Sequence, residues 1–311
     1  MIITKCPLRV SLVGGSTDLQ DFIDHYGKGS VISFPVNLYT YITVSSDIYG
    51  PNKRFGQYII NYTKREEERC VKNIKNDIAR EVIKYFNCKQ IICTFYSDIL
   101  SSGSGLASSS SYTLSMVKAI SKFNNIKLSD YEICKIAFNI EHNFNKHAGY
   151  QDIYGCGIGS LKKIDFKKNE DPKFTYLSQK IFNDMNMYLI STNITRQSDK
   201  ILPKLDLEKR LGLLSLVSSL EQSIIENNQS DFFNILNESW IKKKETSSLI
   251  YSHPQIRDMD ECLIKDHNVL AHKLCGAGAG GFFLVYTKSN IKDSKFIPIA
   301  ISENGIAHLQ I

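Results

Sequence analysis

Apolar and polar residues alternate along residues 5–13, and this period of two predicts a β-strand. The strand ends in Gly-Gly-Ser-Thr-Asp over residues 14–18, a turn that places the Asp18 carboxylate at the end of a strand. Shorter apolar runs predict further strands at 38–45, 58–62 and 91–95. Because loops at strand ends often carry binding residues, the first turn is a candidate substrate site.

Helical patterns occupy most of the remaining first half of the chain. Residues 64–86 combine dense charge with apolar side chains every three or four positions, which predicts a surface helix. Two further helices are predicted at 108–123 and 130–147, each with one apolar stripe. Four separate glycines, at 149, 155, 157 and 159, bracket Asp152 before a predicted strand at 160–166.

The second half begins after a polar patch at residues 167–173, where the composition shifts and Pro172 interrupts any regular element. We therefore predict two domains, residues 1–170 and 171–311. Further strands are predicted at 187–192, 282–286 and 296–301, and helices at 205–227, 229–250 and 256–268.

Composition narrows the class of protein. The 311 residues are enough for about two domains, and 42% hydrophobic with 23% charged residues is ordinary for a soluble protein. No leader or membrane-spanning run is present, so we expect a cytoplasmic protein. The net charge of +6 is modest and dispersed, which argues against nucleic acid as a partner. Eight single cysteines indicate neither a disulfide framework nor a zinc site.

A glycine and serine loop precedes the helix predicted at 108–123. Gly103 and Gly105 allow the backbone to approach a ligand closely, and the free N–H groups of the helix would point toward them. The loop is therefore predicted to hold a triphosphate, with a serine hydroxyl left for Mg²⁺. A flexible linker before an ordinary helix is the alternative. The predicted nucleotide-binding residues are Gly103, Ser104, Gly105, Leu106, Ala107, Ser108, Ser109 and Ser110.

Other nucleotide-binding motifs are excluded by their context. The glycines at 276, 278 and 281 match a dinucleotide-binding fingerprint in spacing, but they lead into a strand and not into a helix. Neither a P-loop nor the motifs of protein kinases occur. Phosphoryl transfer by another architecture stays open. Arg196 is a candidate cation for a substrate phosphate, although a surface salt bridge is an equal alternative.

Three motifs together resemble those of the GHMP superfamily of small-molecule kinases. They are residues 7–18, residues 103–111 and residues 273–283, in the order that the superfamily shows. Within the superfamily, the forms of these motifs look most like those of the D-glycero-D-manno-heptose 7-phosphate kinases. One departure is Ala107, which stands where the superfamily usually has glycine and where we expect an altered nucleotide affinity.

The resemblance implies a role for several residues. Asp152 would be the catalytic base, Arg9 would stabilise the developing charge, and Asp18 would hold sugar hydroxyls. Ser109, or its neighbour Ser108, and Glu141 would bind Mg²⁺. Without the resemblance, Glu141 is better explained as a solvated helix carboxylate than as a metal ligand. The further predicted substrate residues are Gly15, Ser16 and Gly278, together with Arg196 as the candidate for a substrate phosphate.

The resemblance also implies a fold and a reaction. The expected fold is α+β, with a ribosomal-protein-like N-terminal domain, a ferredoxin-like C-terminal domain and the active site between them. The expected reaction moves a phosphoryl group from ATP to the anomeric hydroxyl of a heptose 7-phosphate, with ATP and Mg²⁺ as cofactors. A fucokinase or other hexose kinase and a non-enzymatic sugar sensor are the alternatives. The expected partner is a small-molecule sugar phosphate, and a homodimer is left open.

Overall fold

The structure is a computed structural model that describes residues 1–46, 56–99, 103–195 and 201–310. Within these ranges the chain forms eight α-helices and two β-sheets, which confirms the α+β class.

The larger sheet contains the first strands of the chain and its last one. Its members are β1 (Ile2–Val13), β2 (Lys28–Ser45), β3 (Tyr58–Asn61), β4 (Arg65–Glu68), β5 (Ile92–Ser97), β6 (Lys162–Lys167), β7 (Lys173–Tyr176) and β12 (Ala307–Leu309). The order is β12-β1-β2-β5-β3-β4, and β6 pairs with β2 and β7. The 18 residues of β2 let it pair with β6 along one half and with β5 along the other. The sequence predicted only the second half of this strand.

The smaller sheet is antiparallel and belongs to the second half of the chain. Its strands are β8 (Asn186–Ser191), β9 (Val269–Leu274), β10 (Phe282–Thr287) and β11 (Phe296–Pro298). They lie in the order β11-β8-β10-β9. The domain boundary predicted at 167–173 stays a prediction; in the structure these residues include the turn between β6 and β7.

Three of the eight described helices begin at a residue whose side chain caps the helix. The eight helices are α1 (Gln20–Tyr26), α2 (Asp77–Tyr85), α3 (Ser108–Phe123), α4 (Asp130–Glu141), α5 (Tyr150–Gly157), α6 (Lys209–Ile225), α7 (Gln229–Glu245) and α8 (Pro254–Lys265). Helix α4 starts with a reciprocal capping box between Ser129 and Glu132, and the Asn228 side chain caps α7. The helix predicted at 108–123 is confirmed as α3.

Two helix predictions are wrong in part. Only Asp77–Tyr85 of the segment 64–86 is α-helical, because its beginning pairs with β3 as β4 and Val71–Asn73 form a short 3-10 helix. The Glu66 carboxylate accepts hydrogen bonds from the N–H groups of Lys75 and Asn76, at 2.6 and 3.0 Å, which fixes a turn before the helix. The helix predicted to reach residue 147 ends at Glu141, and the unpredicted helix α5 follows after a loop.

Strand β1 is buried on both faces and connects two hydrophobic cores. Cys6 faces the core formed with α2, α3, α4 and α5, whereas Leu8, Val10 and Leu12 face a second core with α6, α7 and the smaller sheet. A strand covered on both sides holds its side chains in fixed positions. Arg9 on this strand therefore has a rigid support.

Candidate active site

Arg9 joins the first strand to two other parts of the chain. Its guanidinium donates to Asp152 Oδ1 from Nε at 3.1 Å and from Nη2 at 2.5 Å. Its Nη1 donates to the carbonyl oxygen of Gly105 at 2.7 Å. Arg9 is only 1% exposed, and charge-assisted hydrogen bonds of this kind hold a buried guanidinium firmly. The structure thus brings together two predicted catalytic residues and the predicted phosphate loop.

Asp152 lies in the first turn of helix α5, on which Gly155 packs against Arg9. A Cβ at residue 155 would lie 3.2 Å from Arg9 Cγ, so glycine leaves room for the aliphatic part of that side chain. The Asp152 side chain keeps 29% of its surface exposed and lines a cleft. A carboxylate that is fixed on one side and open on the other can meet a substrate hydroxyl.

Asp18 lies beside the same helix and is fully buried. Its Oδ1 accepts from the N–H of Ser16 and its Oδ2 from the N–H of Gln151, both at 3.0 Å. A Cβ at Gly149 would lie 2.1 Å from Asp18 Oδ2, so only glycine permits this approach. Burial raises the pKa of Asp18 to about 6, and the Asp152 carboxylate adds to the rise. The first turn and helix α5 therefore form one rigid unit.

The glycine and serine loop enters helix α3 through a strained residue. Ala107 has a φ of 62°, in the left-handed region where glycine is at ease and alanine is not. The Ser104 hydroxyl bonds to that of Ser108 at 2.8 Å and accepts from the N–H of Leu106 at 3.2 Å. The N-terminus of α3 carries unpaired N–H groups, which favour an anion at this end of the helix.

Glu141 ends helix α4 opposite the start of α3. The Ser110 hydroxyl donates to its Oε2 at 2.6 Å, and Ser109, which is exposed, also hydrogen-bonds to the carboxylate. Glu141 is 1% exposed, and burial raises its pKa to about 7. Carboxylate and hydroxyl oxygens are hard donors that suit Mg²⁺. Among the described residues no three His, Cys, Asp or Glu side chains gather into a metal-binding group.

The C-terminal glycine loop packs directly against the phosphate loop. A Cβ at Gly281, which has a φ of 93°, would lie 2.2 Å from the carbonyl oxygen of Ser104. The N–H of Phe282 donates to that same oxygen at 3.1 Å. Gly276 and Ala277 line the cleft, whereas Gly278 packs against Ile250 behind them. Residues near both ends of the chain, such as Arg9 and Gly276, therefore line the same cleft.

The cleft also contains residues that the sequence analysis did not select. Lys243, on α7, is 7% exposed and donates to Ser16 Oγ at 2.5 Å. Gln151 Oε1 is buried, without a hydrogen-bond partner in the described part of the chain. The basic run at 242–244 was the only sequence signal for Lys243. The lining residues are Arg9, Ser16, Asp18, Leu19, Asn145, Ala148, Gly149, Gln151, Asp152, Leu202, Lys243, Gly276 and Ala277.

Two other predicted substrate residues have different positions. Gly15 is not among the cleft-lining residues, and a Cβ there would lie 3.2 Å from Ser11 Oγ and 3.4 Å from Gln151 Nε2. Arg196 lies outside the described residues, so its predicted contact with a substrate phosphate stays a prediction.

Known proteins resemble this chain along nearly its whole length. Residues 68–160 match the family described as GHMP kinases N terminal domain. The D-glycero-alpha-D-manno-heptose 7-phosphate kinase of Campylobacter jejuni is 28% identical over 305 residues, which cover 92% of this chain and 89% of that protein. In the part of the chain that the structure describes, no helix is both long and apolar enough to cross a membrane.

Solved structures show the same fold. A D-glycero-D-manno-heptose 1-phosphate kinase from Bacteroides thetaiotaomicron has a TM-score of 0.78 at 20% identity and covers 100% of this chain and 99% of its own. The galactokinase of Lactococcus lactis, complexed with galactose, has a TM-score of 0.77 at 15% identity, covering 99% of this chain and 95% of its own. The predicted two-domain fold is confirmed by these neighbours, and the chain is similar in sequence to GHMP kinases along most of its length.

Proposed function

We propose that this protein transfers the γ-phosphoryl group of ATP to the anomeric hydroxyl of D-glycero-D-manno-heptose 7-phosphate. The observation that carries this proposal is the Arg9 guanidinium, which bonds to the Asp152 carboxylate and to the carbonyl oxygen of Gly105 in the phosphate loop. One buried cation thus lies between the candidate base and the candidate phosphate site. The relative in Campylobacter jejuni supports the choice of acceptor.

The nucleotide's phosphates are assigned to the loop at 103–110. The N-terminal N–H groups of α3 and the hydroxyls of Ser104 and Ser108 offer donors to phosphate oxygens. Arg9, close behind the loop at Gly105, favours negative charge that develops on the transferred group. These residues bind and orient the donor, and they stabilise the charge of the transition state.

Glu141 and Ser109 are the residues that would hold Mg²⁺. The ion, when bound, neutralises charge on the phosphate oxygens and fixes their geometry. The raised pKa of Glu141 means that burial favours its protonated form in the metal-free protein. Binding of a cation beside this carboxylate would release its proton, because a metal ligand must be ionised.

The acceptor is assigned to the cleft between Asp152 and Lys243. Asp152 accepts the proton of the attacking hydroxyl, since its carboxylate is the one that is open to the cleft beside the phosphate loop. Asp18, Ser16 and Lys243 offer acceptors and donors to the other hydroxyls of a sugar. A site that pairs each substrate hydroxyl rejects analogues that leave its buried polar groups unpaired.

An ADP-release assay with Mg-ATP tests the proposal against a panel of acceptors. The panel contains heptose 7-phosphate, unphosphorylated heptose, fucose, galactose and mannose. We expect turnover to be highest with heptose 7-phosphate. Turnover that is confined to a free hexose would support a kinase with a different acceptor. Binding of ATP without turnover on any sugar would favour a sensor.

A further inference from the structure

A second cleft continues the acceptor site away from Asp152. The two clefts share Leu19, Ala148 and Leu202 as lining residues, so they adjoin, and we call the two together the groove. The second cleft is also lined by Gln20, Asp21, Lys146, His147 and Pro203. A ligand whose hydroxyl end lies at Asp152 can therefore extend along the groove.

The far end of this groove has a positive character. Lys146 and His147 lie in the loop between α4 and α5, with both side chains exposed. Across the described part of the chain neither forms an ion pair. Asp21 is the acidic residue of the second cleft, and Arg210 already binds it through both carboxylate oxygens, at 3.0 and 2.6 Å. The Lys146 ammonium and the ring N–H of His147, which also lies near Asp21, are thus the donors that this end of the groove offers to a ligand.

We propose that Lys146 and His147 bind the phosphate group that the acceptor carries at the end remote from its reacting hydroxyl. This inference rests on the proposed function, because it requires a phosphorylated acceptor. The loop from 142 to 149 leads directly into helix α5, so the phosphate-binding residues and the catalytic Asp152 belong to one continuous segment. The distance between Asp152 and these phosphate-binding residues then favours acceptors of matching length as well as of negative charge.

The double variant Lys146→Gln/His147→Gln removes the Lys146 charge and the His147 imidazole and keeps hydrogen-bonding capacity. We expect kcat/KM for heptose 7-phosphate to fall roughly 10- to 100-fold through KM, because hydrogen bonds to a charged group are lost at a partly exposed site. The KM for ATP and kcat/KM for unphosphorylated heptose should stay unchanged. Lys295→Gln, an exposed lysine in the loop before β11, is the matched control and should behave as wild type.

Three results would overturn the inference. The double variant could leave KM for heptose 7-phosphate unchanged, it could weaken both acceptors equally, or Lys243→Met alone could abolish the preference for the phosphorylated acceptor. Calorimetric binding of heptose 7-phosphate without ATP separates this inference from the proposed function. Binding that the double variant loses supports the phosphate subsite even when no ADP is released, whereas absent turnover in wild type contradicts only the proposed reaction.

Discussion

Replacing Glu141 by glutamine should stabilise the metal-free protein at neutral and alkaline pH. The carboxylate is 1% exposed, and burial together with the nearby Asp152 raises its pKa from 4.5 to about 7, although Ser110 opposes the rise. Glutamine has the same shape and keeps an oxygen that can accept from Ser110. The change therefore removes a buried charge without opening a cavity.

The magnitude and the pH range follow from the shift in pKa. Each pKa unit corresponds to about 1.36 kcal/mol, so the ionised carboxylate costs the folded state roughly 3 kcal/mol. The folded protein holds this proton more tightly than the unfolded chain does. The stability that the protonated form provides is thus complete below pH 4.5 and is lost as pH rises to about 7. Above that pH the glutamine variant should keep its full advantage.

Urea unfolding of both proteins in EDTA, at pH 5 and pH 8.5, measures the difference. Subtracting the variant from wild type cancels the other titrating groups. We expect the free energy of unfolding of the glutamine variant to exceed that of wild type by roughly 3 kcal/mol at pH 8.5 and by little at pH 5. Mg²⁺ should then stabilise wild type and not the variant, since a ligand stabilises the state that binds it. A variant that is less stable than wild type at pH 8.5 would refute the assignment of a buried, uncompensated charge.

Three further changes test other parts of the structure. Ala107→Gly removes the strain of an alanine in the left-handed region, but glycine loses more conformational entropy on folding. The free energy of unfolding should therefore change by less than about 1 kcal/mol. A decrease of more than about 2 kcal/mol would contradict the presence of strain at residue 107. Asp260→Asn should cost about 3–5 kcal/mol, since the buried carboxylate accepts from Trp240, His272 and Lys244 at 2.6–2.9 Å; denaturant unfolding at pH 7 checks this. These donors hold the pKa of Asp260 below its usual range despite burial, so wild type should lose that contribution as pH falls below about 4. Lys243→Met should raise KM for the acceptor about tenfold and leave KM for ATP unchanged. Steady-state kinetics with each substrate varied in turn measures both constants, and an unchanged KM for the acceptor would contradict this role.

The parts of the fold that depend on local pattern could be predicted from the sequence. Helix α3 has a regular apolar stripe and a clear polar start, so its bounds were predicted correctly. Helix α5 was missed, because Gly149, Gly155 and Gly157 resemble a loop when only the sequence is seen. In the structure two of these glycines allow close approach to Asp18 and Arg9. Glycine is needed at these positions because of contacts with distant parts of the chain, and the periodicity of the local sequence does not reveal such contacts.

Some residues of the candidate site could likewise be predicted from the sequence, and others could not. Motif resemblance pointed to Arg9, Asp18 and Asp152, and the structure brings these three together around helix α5. Lys243 was missed, since it meets Ser16 across 227 positions of sequence and carries no local signal beyond a short basic run. Contacts of this kind depend on how α7 packs against the first turn. Only the folded chain reveals them.

The turnover of Asp152→Asn tests the central claim most directly. With heptose 7-phosphate and Mg-ATP, we expect kcat to fall by about 10²–10⁴, because the amide cannot accept the proton of the attacking hydroxyl. Binding of ATP should stay near the wild-type value. Asp184→Asn, at an exposed residue whose φ of 63° asparagine tolerates, is the matched control. An Asp152→Asn variant that turns over at the wild-type rate would contradict the role of Asp152 as the base.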